Sequence, residues 1–158
     1  MKNFLLNTSK PLWACTPKNY TGAAATAKYV SLKNYGQMTI VIQVGAWAAG
    51  TAAVTLLQAT DVSATGAKAL AFTEMYSDET TGGTLVKNTV TGDTFNLDTA
   101  NKIYVIQVDA AQLDASNGFD CLTVAIASPG ANADYYGVTY ILGDSRYAQD
   151  TPPTALTD

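Results

Sequence analysis

The sequence predicts an all-β fold: a single-domain antiparallel β-sandwich, jelly-roll-like, of about eight strands with extended N- and C-terminal arms. Three observations predict it. Short runs rich in Val, Ile, Thr and Tyr alternate apolar with polar residues, the period of a half-buried strand. Clusters of Gly, Asp, Asn and Pro break these runs at short, regular spacing, as in sandwiches and barrels. No stretch carries the 3.6-residue apolar period of a helix.

The elements follow in order. Residues 1–20 and 144–158 hold four of the five prolines and lack alternation; they read as an N-terminal and a C-terminal arm flanking a sandwich domain at 21–143. Such arms bury too little apolar surface to offset their ordering entropy alone, so a neighbour must order them. Gly22 to Ala25 lead as a loop into a strand around Tyr29–Leu32. Met38, Ile40, Ile42 and Val44 share one strand face, with Thr39 and Gln43 on the other. Gly45 to Gly50 reads as a hairpin loop with Ala52–Ala59 as the partner strand. Asp61 to Gly66 is turn chemistry, since Asp, Ser and Gly supply Asx-turns and positive φ.

Strand character resumes at Leu70, Phe72 and Tyr76. A polar loop from Ser77 to Gly83 follows, then short strands at Leu85–Val90 and Thr94–Leu97. Lys102–Val108 is apolar on both faces, so both faces are expected to be covered. Asp109–Leu113 fits one helical turn. Strands at Phe119–Ala127 and Tyr135–Leu142 complete the body.

Composition narrows function. Of 158 residues, 47% are hydrophobic, enough for a core, while only 14% are charged, against about a quarter in soluble domains. A charge-poor surface suits a protein partly covered by neighbours. The net charge of −4 and the lack of a basic cluster argue against nucleic-acid binding. There is no histidine, which removes the commonest general base, metal ligand and nucleophile activator. No run approaches the roughly 20 apolar residues of a membrane span. The apolar start Phe4-Leu5-Leu6 is broken by Asn7 to Pro11 and makes no signal core. Neither a membrane nor a nucleic acid is expected as partner.

No motif rises to a catalytic, cofactor or metal site. Cys15 and Cys121 lack CxxC spacing, and Cys121 sits in an apolar run as a small hydrophobe. Asp109, Asp114 and Asp120 surround Asn117-Gly118 and resemble a fragment of a calcium loop, but the closing glutamate is missing; a hydrophilic turn is the simpler reading. Gly82-Gly83 lacks the lysine and helix of a phosphate loop. Trp13, Tyr20, Trp47, Tyr135, Tyr136, Tyr140 and Tyr147 suggest core and interface packing, with a sugar-stacking platform as the alternative. Alternation puts Tyr136 and Tyr140 on one face and Tyr135 on the other, and an apolar tip such as Trp47 suits an interface anchor.

Several stretches resemble a family of tailed-bacteriophage and prophage virion proteins. They are Tyr29 to Tyr35, Gln58 to Val62, Thr65 to Leu70, Asn117 to Cys121, and Tyr140 to Tyr147 with Pro152-Pro153. The likeness runs in order over most of the chain and is weakest from Tyr76 to Leu97. It implies a non-enzymatic virion role: a capsid decoration or cement protein on the outer head surface. The implied partners are the major capsid protein and the chain itself, as a homotrimer. A tail or fibre-base adaptor and a carbohydrate-binding sandwich are the alternatives. The residues expected to grip neighbouring subunits are Phe4, Leu5, Leu6, Leu12 and Trp13 in the first arm, Trp47 in the body, and Arg146, Tyr147, Pro152, Pro153 and Leu156 in the last arm.

Overall fold

Met38, Ile40, Ile42 and Val44 are all buried, while Thr39 and Val41 between them are half-buried and Gln43 is exposed. That alternation marks one strand, β4 (Tyr35–Val44), as a wall of the core. The computed structural model describes residues 9–78, 83–146 and 154–157. Its other strands are β1 (Lys10–Asn19), β2 (Ala25–Thr26), β3 (Val30–Ser31), β5 (Ala52–Ala59), β6 (Lys68–Leu70), β7 (Glu74–Asp78), β8 (Leu85–Thr89), β9 (Phe95–Leu97), β10 (Ile103–Asp109), β11 (Cys121–Ile126) and β12 (Tyr135–Ser145). The only helical pieces among the described residues are 3-10 turns at Ala110–Gln112 and Ala115–Asn117. The first lies where one helical turn is expected.

The strands form two antiparallel sheets, a β-sandwich as predicted. The first sheet runs β1-β12-β4-β10-β7-β8. The second has β11 and β5 at its centre. Each of its edges is built from two short pieces end to end: β2 and β3 along β11, and β6 and β9 along β5. Twelve strands are thus present among the described residues, four of them of only two or three residues. Three pairs are nested, β4 with β12, β5 with β11 and β7 with β10. Such nesting follows when a long hairpin is rolled up, and it underlies the jelly-roll likeness. The inward faces interdigitate as one core: Ile40, Ile42, Tyr104, Ile106, Val138 and Tyr140 from the first sheet meet Val54, Leu56, Leu122 and Val124 from the second.

Four expectations are corrected. Gly45 to Gly50 is not a hairpin loop, because β4 and β5 lie in different sheets. Both edges of β4 are already taken by β12 and β10, so the chain must cross to the second layer. The crossing is pinned by backbone bonds: Gly45 N–H to the Tyr135 carbonyl at 2.8 Å and Asn101 N–H to the Gly45 carbonyl at 2.9 Å. Asp134, fully buried, accepts the Ala48 N–H at 2.6 Å.

The segment 10–19, expected within an arm, is strand β1 at the edge of the first sheet, in register with β12 from Lys10 opposite Leu142 to Asn19 opposite Tyr135. Its register shifts twice, between Trp13 and Cys15 and between Cys15 and Lys18, and the second shift lets it pass Pro17 without a regular ladder. β12 runs on to Ser145, past the expected boundary at 143. Further along the tail, Ala155 is buried and its carbonyl accepts the Ser31 N–H at 2.8 Å. Finally, no described element covers the outward face of β10: Ile103 is exposed and Val105 half-buried.

Candidate functional site

The outward face of the first sheet gathers four exposed apolar side chains, Trp13, Leu85, Ile103 and Tyr135. The paired registers place three rows across it. The middle row runs Trp13, Thr139, Val41, Val105, Tyr76 and Lys87. Above it run Pro11, Ile141, Thr39 and Gln107, and below it Gly137, Gln43, Ile103, Asp78 and Leu85. No charged side chain stands in these rows on β1, β12, β4 or β10; charge begins at Asp78 and Lys87, where Lys87 Nζ meets Glu74 at 2.6 Å. Trp13 is 63% exposed and Leu85 50%. Tyr135, 46% exposed, stands on the same face near the end of β12.

Local chemistry explains the placement of Trp13. In β1, Leu12 turns inward and packs partly against the core, so its neighbour Trp13 turns out. Pro17 then folds over Gly137: a Cβ built on that glycine would lie 2.7 Å from Pro17 Cγ. Only a residue without a side chain lets the edge strand lie this close.

The other expected contact residues are scattered. Phe4, Leu5, Leu6, Tyr147, Pro152 and Pro153 lie outside the described residues. Trp47 is half-buried, its ring 6.3 Å from that of Tyr136 and its Nε1–H donating to the Gly50 carbonyl at 3.0 Å. Arg146 is exposed, with its N–H on the Asn34 carbonyl at 3.0 Å, and borders a depression beside Leu32, Leu113 and Phe119. Leu156, 44% exposed, lines another with Ala27, Tyr29 and Val62. Trp13, Arg146 and Leu156 therefore do not form one patch. Sequence reasoning missed Val41, Val105, Ile103 and Leu85. The outward apolar residues of β10 carried the signal, but that strand was read as covered on both faces, and Val41 of β4 was passed over beside Thr39 and Gln43.

Most aromatics belong to the core. Tyr20 and Tyr136 stack with centroids 4.3 Å apart, and Tyr136 and Tyr140 are fully buried. Burial pushes both of these hydroxyls above the ordinary phenol range. Tyr135 points the other way, as alternation requires.

Cys15 and Cys121 are free and buried, and burial raises the Cys15 thiol above its ordinary value. The acidic segment is a turn: the Asp114 carboxylate accepts from Lys68 Nζ at 2.5 Å, Ser116 at 3.0 Å and Asn117 at 2.9 Å. No group of three or more potential metal ligands occurs among the described residues, and none of their helices is long and apolar enough to cross a membrane.

Searches by family model and against curated proteins match nothing. Among solved structures, the chain is similar to the SPBc2 prophage-derived protein YomS, with 10% sequence identity, a TM-score of 0.47, and coverage of 85% of this chain and 91% of that one.

Proposed function

We propose that this protein is a non-enzymatic structural component of a tailed-phage virion, a decoration or cement protein that binds the outer surface of the capsid shell. Its partners in this role are the major capsid protein and its own copies, as a homotrimer at local threefold points, assembled in the host cytoplasm. The observation that carries the proposal is the charge-poor outward face of β1, β12, β4 and β10, where Trp13 at 63% exposure, Ile141, Val41, Val105 and Ile103 stand among threonines and glutamines and Asp109 is the one charged residue of β10. The sequence resemblance to virion proteins supports the same role. A cement protein needs a rigid body with a broad adhesive surface, and at about 25 cal/mol per Å² each apolar residue covered adds to adhesion. Repetition over a symmetric shell multiplies the effect against internal pressure.

The test is to add purified protein to expanded shells that lack it. Co-sedimentation and a rise in shell melting temperature are expected, and Trp13→Ala should weaken binding at least tenfold, as loss of an aromatic anchor does. Failure to bind any shell form overturns the proposal. Labelling of intact particles at the tail instead of the head moves the protein to a tail or fibre-base role.

A further inference from the structure

We infer that the slot bordered by Arg146 and Lys33 docks an acidic, apolar peptide segment of a partner protein. One large apolar side chain enters the slot, and a carboxylate beside it meets the two cations. None of the lining residues stands in the three rows of the first-sheet face, so this contact is separate from the one proposed for the shell.

Shape comes first. The slot lies where β12 ends, beside the two 3-10 turns, and its apolar lining is Leu32 and Leu113, both buried, with half-buried Phe119. Its volume is about 170 Å³. An apolar cavity of about 150 Å³ takes a benzene ring, so the slot admits one aromatic or branched aliphatic side chain. Its walls are already fixed. The Leu32 N–H donates to the Asp120 carbonyl at 2.8 Å and the Arg146 N–H to the Asn34 carbonyl at 3.0 Å. Lys68 Nζ sits 4.0 Å from the centroid of the Phe119 ring. A site formed beforehand spares a ligand the cost of ordering it.

Charge then selects the occupant. Arg146 is the one arginine of the chain. Arg146 and Lys33 are both exposed, and neither makes an ion pair among the described residues. Asp120 is the one acid of the lining, and its carboxylate accepts from Cys121 Sγ at 3.2 Å. Nearby Asp114 is held by Lys68, Asn117 and Ser116. Two cations against one carboxylate leave the rim net positive, on a chain whose net charge is −4. A guanidinium matches a carboxylate through two parallel hydrogen bonds. A basic segment would be repelled here, and a purely apolar one would leave both cations unmatched.

The experiment titrates the isotope-labelled full chain with the dipeptide Leu-Asp, acetylated and amidated at its ends, and follows amide shifts by NMR. Saturable shifts at Leu32, Leu113, Phe119 and Arg146 are expected, with a Kd in about the millimolar range for so small a ligand. The Leu-Asn peptide lacks the charge and the Gly-Asp peptide the apolar side chain; each should bind about tenfold more weakly. Arg146→Gln, at an exposed position, should weaken Leu-Asp binding about tenfold, and Lys33→Gln should weaken it by a smaller factor. Lys18→Gln, an exposed lysine on β1, should leave it unchanged. No saturable shift at the slot up to about 20 mM peptide overturns the inference, as does equal binding of Leu-Asp and Leu-Asn or indifference to Arg146→Gln. Shell binding through Trp13 is measured separately and stands or falls without this result.

Discussion

Tyr140 shows how one side chain closes a gap in the backbone ladder. β11 is paired by β3 at Cys121 and Leu122 and by β2 at Ala125 and Ile126, which leaves that edge open between them. The Tyr140 hydroxyl crosses from the opposite sheet and accepts the Val124 N–H at 2.9 Å, with Thr123 Oγ1 at 3.1 Å. Thr123 in turn donates to the Lys28 carbonyl at 3.1 Å. Tyr140→Phe keeps the ring but strands a buried N–H, so it should cost about 2 kcal/mol and lower the melting temperature by roughly 6 °C, read by calorimetry. Asp114 makes a second case. The Lys68 ammonium, then Asn117 and Ser116, hold its carboxyl at about 2, below the ordinary 3.8. A carboxyl depressed on folding stabilises fully above 3.8, and that contribution is lost as pH falls towards 2. Asp114→Asn should therefore flatten the fall of melting temperature between pH 4 and pH 2, measured against wild type in the same buffers.

Among the elements, β1 is the most informative. It closes one edge of the first sheet and carries Pro11 and Pro17, which lack N–H donors and make a poor template for a further strand. Its register shifts depend on Gly137, which leaves room for Pro17. Gly137→Val should push β1 off β12 at a cost of about 1–3 kcal/mol. Hydrogen exchange should then show lost protection across residues 10–19, with β4 and β10 unchanged; equal loss across the sheet would refute the dependence on this contact. The sequence pattern hid β1, because prolines and uneven alternation look like a tail when no partner is in view. β4 was legible for the opposite reason: Met38, Ile40, Ile42 and Val44 state their buried face outright. The 45–51 crossing was misread because its glycines suit a hairpin or a change of layer equally. Only the occupancy of both β4 edges decides between them.

For the whole molecule, the sparse charge and the uncovered first-sheet face belong together. In water this face exposes Trp13, Leu85, Ile103 and Tyr135, and exposed apolar side chains gathered on one face mark an interaction site. Burial against a shell shifts unfolding by mass action, so the melting temperature of wild-type protein should climb when expanded shells are added. Val105→Lys should remove that rise, a comparison within reach of a scanning calorimeter. Of the adhesive surface, Trp13 was legible as an exposed aromatic, whereas its company was not. Val41 and Val105 lie 64 positions apart in the chain and become neighbours only when β10 pairs with β4.

By itself the sequence determined the fold class, turns such as Asp61 to Gly66, the inward faces of the main strands and the poverty of charge. These properties are local: a two-residue period and a composition can be read without knowing what lies alongside. Only the tertiary structure decided which strand sits beside which, that residues 10–19 join the sheet, and that Trp13, Ile141, Val41, Val105 and Ile103 meet on one outward face. Strand pairing is made by backbone groups that every residue carries, so its choice rests on long-range competition for free edges.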